Sequence, residues 1–287
     1  MEHVLIPLSE SRWRVLQPAI YLVSVLPALL CAVVFNGQFR LEPLLLMGVA
    51  VVLIQHAINV FNDETDWQRG ADGEKKLSWY HFHQGNPAAL KCHAWISLLL
   101  GVTLGILAVI ESKRIEVLWA ALPLVGLGFL YNFSQWALSY TRWGEWVTGI
   151  CYGPGVFGCM AYVLTGELSK EVILGSVSCS CLAVSVLLSH QPPQVLTDFA
   201  AGKKSFAVRH GTKKTYATAK LLCQIGLLLQ ALVFSGEMTV VVSQALVWLV
   251  SGGLVFTLPN HLSPPIVLKR NTLQILFFGL YLKIGAL

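Results

Sequence analysis

The sequence predicts an all-α, polytopic membrane protein: about nine transmembrane helices bundled around a central cavity. Three observations predict it. Hydrophobic residues make up 55% of the 287-residue chain and charged residues only 12%, against about 25% charged in an ordinary soluble domain. Mean hydropathy is +0.64. Apolar runs recur from end to end, each close to the ~20 residues a helix needs to cross the hydrocarbon core.

Taken in order, the runs lie at about 15–35, 43–61, 92–110, 115–134, 145–164, 171–190, 215–235, 238–258 and 265–286. The first is expected to be a span, not a cleavable signal, because apolar segments continue to the last residue. Connections 62–91 and 191–214 are long, and 135–144 is intermediate. With nine spans, the N-terminus, these three connections and 259–270 share one side. That side holds Arg12, Arg14, Arg69, Lys75, Lys76, Lys91, Arg142, Lys203, Lys204, Arg209, Lys213, Lys214, Lys220, Lys269 and Arg270. The other holds Arg40, Lys113, Arg114, Lys170 and Lys283. The bias marks the first side as cytoplasmic, as in a bacterial inner membrane. The net charge of +5 follows topology, which argues against a nucleic-acid partner. The seven cysteines mostly fall inside apolar runs and read as small buried hydrophobes. Cys179 and Cys181 are spaced for neither a zinc knuckle nor a redox pair. The two long loops each carry an Asp, a Gly and a Lys pair, which hints that the single domain, 1–287, is a duplication of about 1–134 and 135–287.

The second span ends in "NVFNDETDWQRGAD", 59–72. Asn59, Asn62, Asp63 and Asp66 are spaced by threes and fours, which stacks side chains on one helical face. Neighbouring carboxylates repel unless a cation lies between them, and a charge near the membrane core costs ~2.5–3.5 kcal/mol even on the lenient insertion scale. Mg²⁺ resolves both problems, because it takes oxygen ligands, commonly one or two carboxylates plus substrate phosphates. The acids are therefore expected to hold a metal, and the metal a phosphate. Glu64 is expected to face elsewhere, and Asp72 lies past Gly70. The sixth span closes in "SHQPPQVLTDFAAGKKSFAVRHG", 189–211. Asp198 is its acid, and Lys203, Lys204 and Arg209 follow. An acid for a metal and cations for phosphate oxygens suit a diphosphate; anionic lipid headgroups are the alternative. The pair Pro192–Pro193 breaks the helix end.

In these residues the chain resembles the UbiA superfamily of intramembrane prenyltransferases, and within it the branch that prenylates dihydroxynaphthoate for menaquinone. Asn59, Asn62, Asp63, Asp66, Gly70 and Asp72 match the first signature. Asp198, Gly202, Lys203, Ser205, Ala207, Val208, Arg209 and Gly211 match or nearly match the second. Tyr131, Tyr140, Arg142, Gly144, Glu145 and Gly153 align with the segment between them. The chain departs from the pattern at Gln194, where the family has the first Asp of its second pair. It departs also at His190, where the family has an Asn, and in Arg12–Trp13–Arg14–Val15–Leu16.

The resemblance implies Mg²⁺-dependent transfer of an isoprenyl chain from an isoprenyl diphosphate to a hydrophobic aromatic acceptor, within membrane lipid and on the cytoplasmic side. It implies metal ligation by Asp63, Asp66 and Asp198. Asp63, Asp66, Lys203, Arg209 and Tyr131 would be catalytic. Asn59, Asn62, Tyr140, Arg142, His190 and Gln194 would bind substrate with Lys203 and Arg209. Tyr131, Tyr140, Trp143 and Trp146 are candidate faces for an allylic cation, with an interfacial belt as the alternative for each. His81, His83 and His93 read as solvated residues flanking the third span. Gln194 keeps other functions open: a terpene cyclase, a transferase to a non-quinone lipid, or a non-catalytic lipid- or quinone-binding homologue.

Overall fold

The computed structural model describes residues 15–35, 40–71, 78–132, 137–234, 253, 258–260 and 263–284, and every secondary-structure element among them is helical. After a 3₁₀ turn at Pro18–Tyr21 come α1 (Leu22–Val34), α2 (Leu41–Gln68), the short α3 (Trp79–Phe82), α4 (Pro87–Ser112) and α5 (Leu118–Leu130). Next is α6 (Gly144–Ile150), which runs through a π-helical stretch, Cys151–Gly158, into α7 (Cys159–Thr165). Then follow α8 (Lys170–His190), α9 (Val195–Ala200), α10 (Phe206–His210), α11 (Thr212–Val233) and α12 (Ser263–Ile284). The expected span 238–258 falls almost entirely outside the described residues, as do Arg12, Arg14, Asp72, Lys75 and Lys76.

Among the described residues, five stretches are long and apolar enough to cross a membrane: α2, α4, α6 through α7, α8 through α9, and α11. Helices α1 and Ile115–Leu130 are shorter and apolar. Leu99, Ile110, Ile173 and Leu221 on these helices are each more than half exposed. Water would penalise so broad an apolar exterior, whereas lipid matches it. The chain therefore reads as an integral membrane protein.

Local chemistry sets the boundaries. Asn86 caps α4 by accepting from Ala88 N at 3.0 Å and Ala89 N at 3.1 Å, with Pro87 at the first helical position. Ser169 caps α8 through Val172 N. In the π-helical stretch, the donor one i→i−5 step from the Gly149 carbonyl would be residue 154, a proline without an N–H. The Ser180 hydroxyl donates to that carbonyl instead, at 2.7 Å. Pro192 and Pro193 end α8 and force the 3₁₀ turn Pro192–Gln194 before α9 resumes.

Small residues bring the helices together, as lipid-embedded packing requires. A Cβ at Gly101 would press on Ala50 O and Ile54, so α4 closes onto α2. A Cβ at Gly226 would meet Leu182, and the Ser178 hydroxyl donates to the Gly226 carbonyl at 2.7 Å, so α11 closes onto α8. Gln230 and Asn271 exchange hydrogen bonds of 2.9 and 3.2 Å between α11 and α12. Leu26, Leu30, Phe157, Met160 and Leu182 fill the core. All seven cysteines are free, and Cys31, Cys159, Cys179 and Cys223 are buried, in keeping with their reading as small hydrophobes.

Candidate active site

A cavity of about 420 Å³ opens between the helices, within the range of small-ligand sites. Its body is apolar, walled by Ile54 and Ile58 of α2, Val102 of α4, Leu118 and Val125 of α5, and Val156. At one end the wall turns polar, with Asn59, Asn62, Asp66, Asp198 and Lys203.

Helix α2 continues past its expected end to Gln68, so Asn59, Asn62, Asp63 and Asp66 are all helical. It does not form a single row. At roughly 100° per residue, steps of +3 and +4 lean to opposite sides of the helix axis. Gln55, Ile58, Asn59, Asn62 and Asp66 face the cavity. Asp63 belongs to the adjoining face with His56 and Val60, and its Oδ2 accepts the Trp79 backbone N–H at 2.6 Å. Glu64 turns away, as expected, to Lys91 Nζ at 3.1 Å and Gln68 Nε2 at 2.8 Å.

Asp66 is the hub. Its Oδ1 accepts from the Tyr140 hydroxyl at 2.7 Å, and its Oδ2 from Asn62 Nδ2 at 2.8 Å. Lys203 Nζ lies 3.2 Å from both oxygens, and 3.9 Å from Asp198 Oδ1. The lysine thus sits between two buried carboxylates. Burial alone would lower the pKa of Lys203, but Asp66 and Asp198 outweigh it and raise it above the ordinary lysine value.

Lys203 reaches this point because its loop is pinned. Its own amide donates to Asp198 O at 2.8 Å, and the Lys204 amide to Tyr140 O at 3.0 Å. Buried Glu145 accepts from Phe206 N at 2.7 Å, Gln191 Nε2 at 3.0 Å and Arg209 Nη2 at 3.2 Å. Gln191 Oε1 in turn accepts from Ala207 N at 3.2 Å. Glu145 and Gln191 also line the cavity and were missing from the expected site. The signal for Glu145 was an acid between two motifs; that for Gln191 was its place between His190 and Gln194, in the stretch that departs from the family pattern.

The other expected residues divide. Tyr131, His190 and Gln194 line the cavity. Tyr140 stands behind Asp66, its ring 5.1 Å from Lys203 Nζ and 4.3 Å from the Arg69 guanidinium carbon. Arg209 is exposed, engaged by Glu145 at 3.2 Å, and does not line the cavity. Arg142 is exposed and lies 5.2 Å from the Trp143 ring, outside the cavity. Trp143 and Trp146 are 52% and 68% exposed. The candidate role in covering a cation therefore does not apply to them: tryptophans at this end of α6 face outward, as interfacial anchors do. The reading of His83 and His93 as solvated also needs correction, because both are half-buried and hydrogen-bonded to each other. Sequence spacing hid this, since the turn after α3 folds back onto the start of α4.

The donor set at the polar end suits Mg²⁺. Asp66, Asp198, and the amides of Asn62 and Gln194 offer hard oxygen atoms. Among the described residues no three His, Cys, Asp or Glu side chains converge as a metal-binding group. The three expected carboxylates, Asp63, Asp66 and Asp198, are thus not gathered at one point; two face the cavity, and two suffice for a metal that completes its shell with phosphate and water.

A family model described as the UbiA prenyltransferase family matches residues 21–280. The chain is 26% identical over 214 residues to a 1,4-dihydroxy-2-naphthoate octaprenyltransferase of Bacillus subtilis, covering 72% of this chain and 68% of the relative. It is 29% identical over 215 residues to a 2-carboxy-1,4-naphthoquinone phytyltransferase of Synechocystis, with the same coverages. The fold is similar to that of a UbiA homologue from Archaeoglobus fulgidus bound to GPP and Mg²⁺, with a TM-score of 0.64, 17% identity, and coverage of 94% of this chain and 99% of the other.

Proposed function

The chain belongs to the UbiA prenyltransferase family, and we propose that it transfers an isoprenyl chain from an isoprenyl diphosphate to an aromatic quinone precursor, with Mg²⁺, inside a nine-helix bundle around this cavity. One observation carries the reading: the cavity joins a buried Asp66–Lys203–Asp198 cluster to an apolar body between helices. That is the shape of a site for a charged head on a hydrocarbon tail. The naphthoate and naphthoquinone relatives support the acceptor class, and the diphosphate- and Mg²⁺-bound fold neighbours support the donor and the metal. The basic bias of the loops supports a cytoplasmic opening in one membrane domain, 1–287.

Asp66 and Asp198, aided by Asn62 and Gln194, would hold the metal. Bound there, Mg²⁺ supplies the positive charge that makes diphosphate a better leaving group. Lys203, which the same two carboxylates hold in this structure, would yield them to the metal and turn its ammonium to the leaving group, where it adds a second positive charge. Tyr131 lines the cavity, and an aromatic ring there is suited to an allylic cation. The apolar walls keep water from that cation. Glu145, with Gln191 and Arg209, positions the Lys203 loop.

A second reading changes only the acceptor. Gln194 brings no negative charge to the cavity wall, which supports a terpene cyclase or a non-quinone acceptor. The test is to incubate purified protein with Mg²⁺, geranylgeranyl diphosphate and 1,4-dihydroxy-2-naphthoate, and to read pyrophosphate and product by mass spectrometry. Prenylated naphthoate is the expected result. Pyrophosphate without it selects the second reading, and neither product, over several donor lengths and acceptors, overturns both.

A further inference from the structure

A second polar line crosses the molecule on the other side of α2. The Tyr21 hydroxyl, at the end of the turn before α1, lies 2.7 Å from His56 Nδ1 of α2. His56 Nε2 lies 2.9 Å from His93 Nε2 of α4. His93 Nδ1 lies 3.0 Å from His83 Nε2, in the turn after α3. Four residues from four segments thus form one continuous line. His56 and His93 each spend both ring nitrogens on it. Packing alone would ask for contact between the rings, not for this nitrogen-to-nitrogen continuity.

A neutral imidazole has one N–H and one bare nitrogen. Three in series can satisfy every contact in one of two senses: phenol to His56 to His93 to His83, or the reverse. A line with two equivalent senses can pass a proton. Its inner end borders the cavity wall: Tyr21 stands about one helical turn from the lining residues Gln17 and Ser24, and its partner His56 about one turn from the lining residue Asn59. Its outer end, His83, is half-buried in a turn outside the long helices. Burial lowers the pKa of His83, which favours the neutral ring. The Trp79 ring flanks the line, 4.9 Å from the His56 ring centroid and 5.1 Å from that of His93. The ionisable neighbours are Asp63 beside Tyr21, His81 against Ser78 in α3, and the Glu64–Lys91 pair between α2 and α4.

We propose that Tyr21, His56, His93 and His83 form a proton relay that carries the acceptor's proton from the cavity to water. The proposal rests on the prenyl-transfer reading, in which the new carbon–carbon bond leaves the substituted ring carbon of the acceptor with a proton to lose. The electron pair of the broken bond returns to the ring. The proton goes, directly or through a cavity water, to the Tyr21 oxygen as the Tyr21 proton moves to His56 Nδ1. The His56 Nε2 proton passes to His93 Nε2, the His93 Nδ1 proton to His83 Nε2, and the His83 Nδ1 proton to water. One proton enters, one leaves, and no member keeps a charge.

The experiment compares wild type with His93→Gln and His83→Gln, using Mg²⁺, geranylgeranyl diphosphate and 1,4-dihydroxy-2-naphthoate in water and in D₂O, with and without added imidazole. Glutamine keeps hydrogen bonding but cannot shuttle a proton. Expected in each variant is a fall in kcat on the order of 10²-fold, typical of lost acid–base function, with the donor KM unchanged. The solvent isotope effect should rise, and imidazole should restore part of the rate. His83→Gln lies outside the long helices and is the deciding variant if His93→Gln fails to fold. Wild type that forms product while the folded variant keeps its rate and isotope effect, or slows with no imidazole rescue, overturns the relay alone. Wild type that forms no product overturns the relay together with the functional reading.

Discussion

The two polar motifs of this protein solve one problem in opposite ways. The first is carried on an unbroken helix, α2, whose regular pitch sends Asn62 and Asp66 to the cavity and Asp63 to the Trp79 amide. The second is carried on a chain broken by Pro192 and Pro193 into a turn, a short helix and a loop. Its orientation comes from outside, through Glu145 and the Tyr140 carbonyl, and from an internal tie between Gln191 and the Ala207 amide. A helix positions by pitch and needs little support; a broken chain must be tied at each point.

That contrast can be broken by substitution. The largest effect is expected at Asp66, the contact point of both motifs. Asp66→Asn should lower kcat by at least about 10³-fold, above the ~10²–10³ seen when one oriented electrostatic group is lost, while the protein stays monodisperse on size-exclusion chromatography. Asp63→Asn separates the two faces of α2. It should cost about 1–3 kcal/mol of stability, the penalty for weakening a buried hydrogen bond to a charged acceptor, and should reduce turnover far less than Asp66→Asn. Equal kinetic damage at both positions would show that pitch does not divide the motif.

Lys203→Met tests the tied motif. A fall in kcat of about 10²-fold is expected, measured by pyrophosphate release. The pH dependence has a definite sign. The folded pKa of Lys203 is raised, so its stabilising contribution is fully present below the unfolded value of about 10.4 and is lost as pH rises through the folded value. The difference in melting temperature between wild type and Lys203→Met should therefore be flat from about pH 7 to 9 and shrink only at higher pH; shrinkage at neutral pH would refute the assignment. Gln194→Asp restores a carboxylate to the cavity wall and should lower the Mg²⁺ concentration for half-maximal activity several-fold. Arg142→Ala is expected to be the smallest change, within roughly twofold in kcat/KM, as for an exposed side chain outside the cavity.

Much of the architecture was written in the sequence. Apolar runs of bilayer length gave the helical class, and Pro192–Pro193 gave the break after α8, because both depend on local backbone and solvation physics. Asn62, Asp66, Asp198 and Lys203 could be named as partners by type and spacing. Trp143 and Trp146 could not be told from cavity aromatics, since the same ring serves lipid interface and active site alike. His83 and His93 looked like loop residues because neither shows its partner, and His56, buried in an apolar run, showed no partner either.

By itself, then, the sequence determined the helical class, the long apolar helices among the described residues and which side chains carry charge, since hydropathy and the positions of Pro, Asn and Ser act over one or two turns. Only the tertiary structure decided that Asp66 and not Asp63 faces the cavity, that Glu145 holds the Lys203 loop, and that three histidines form a line. Those outcomes depend on the angle at which α2 meets its neighbours, and that angle is set by close approaches such as Gly101 against Ala50, between residues far apart in the chain.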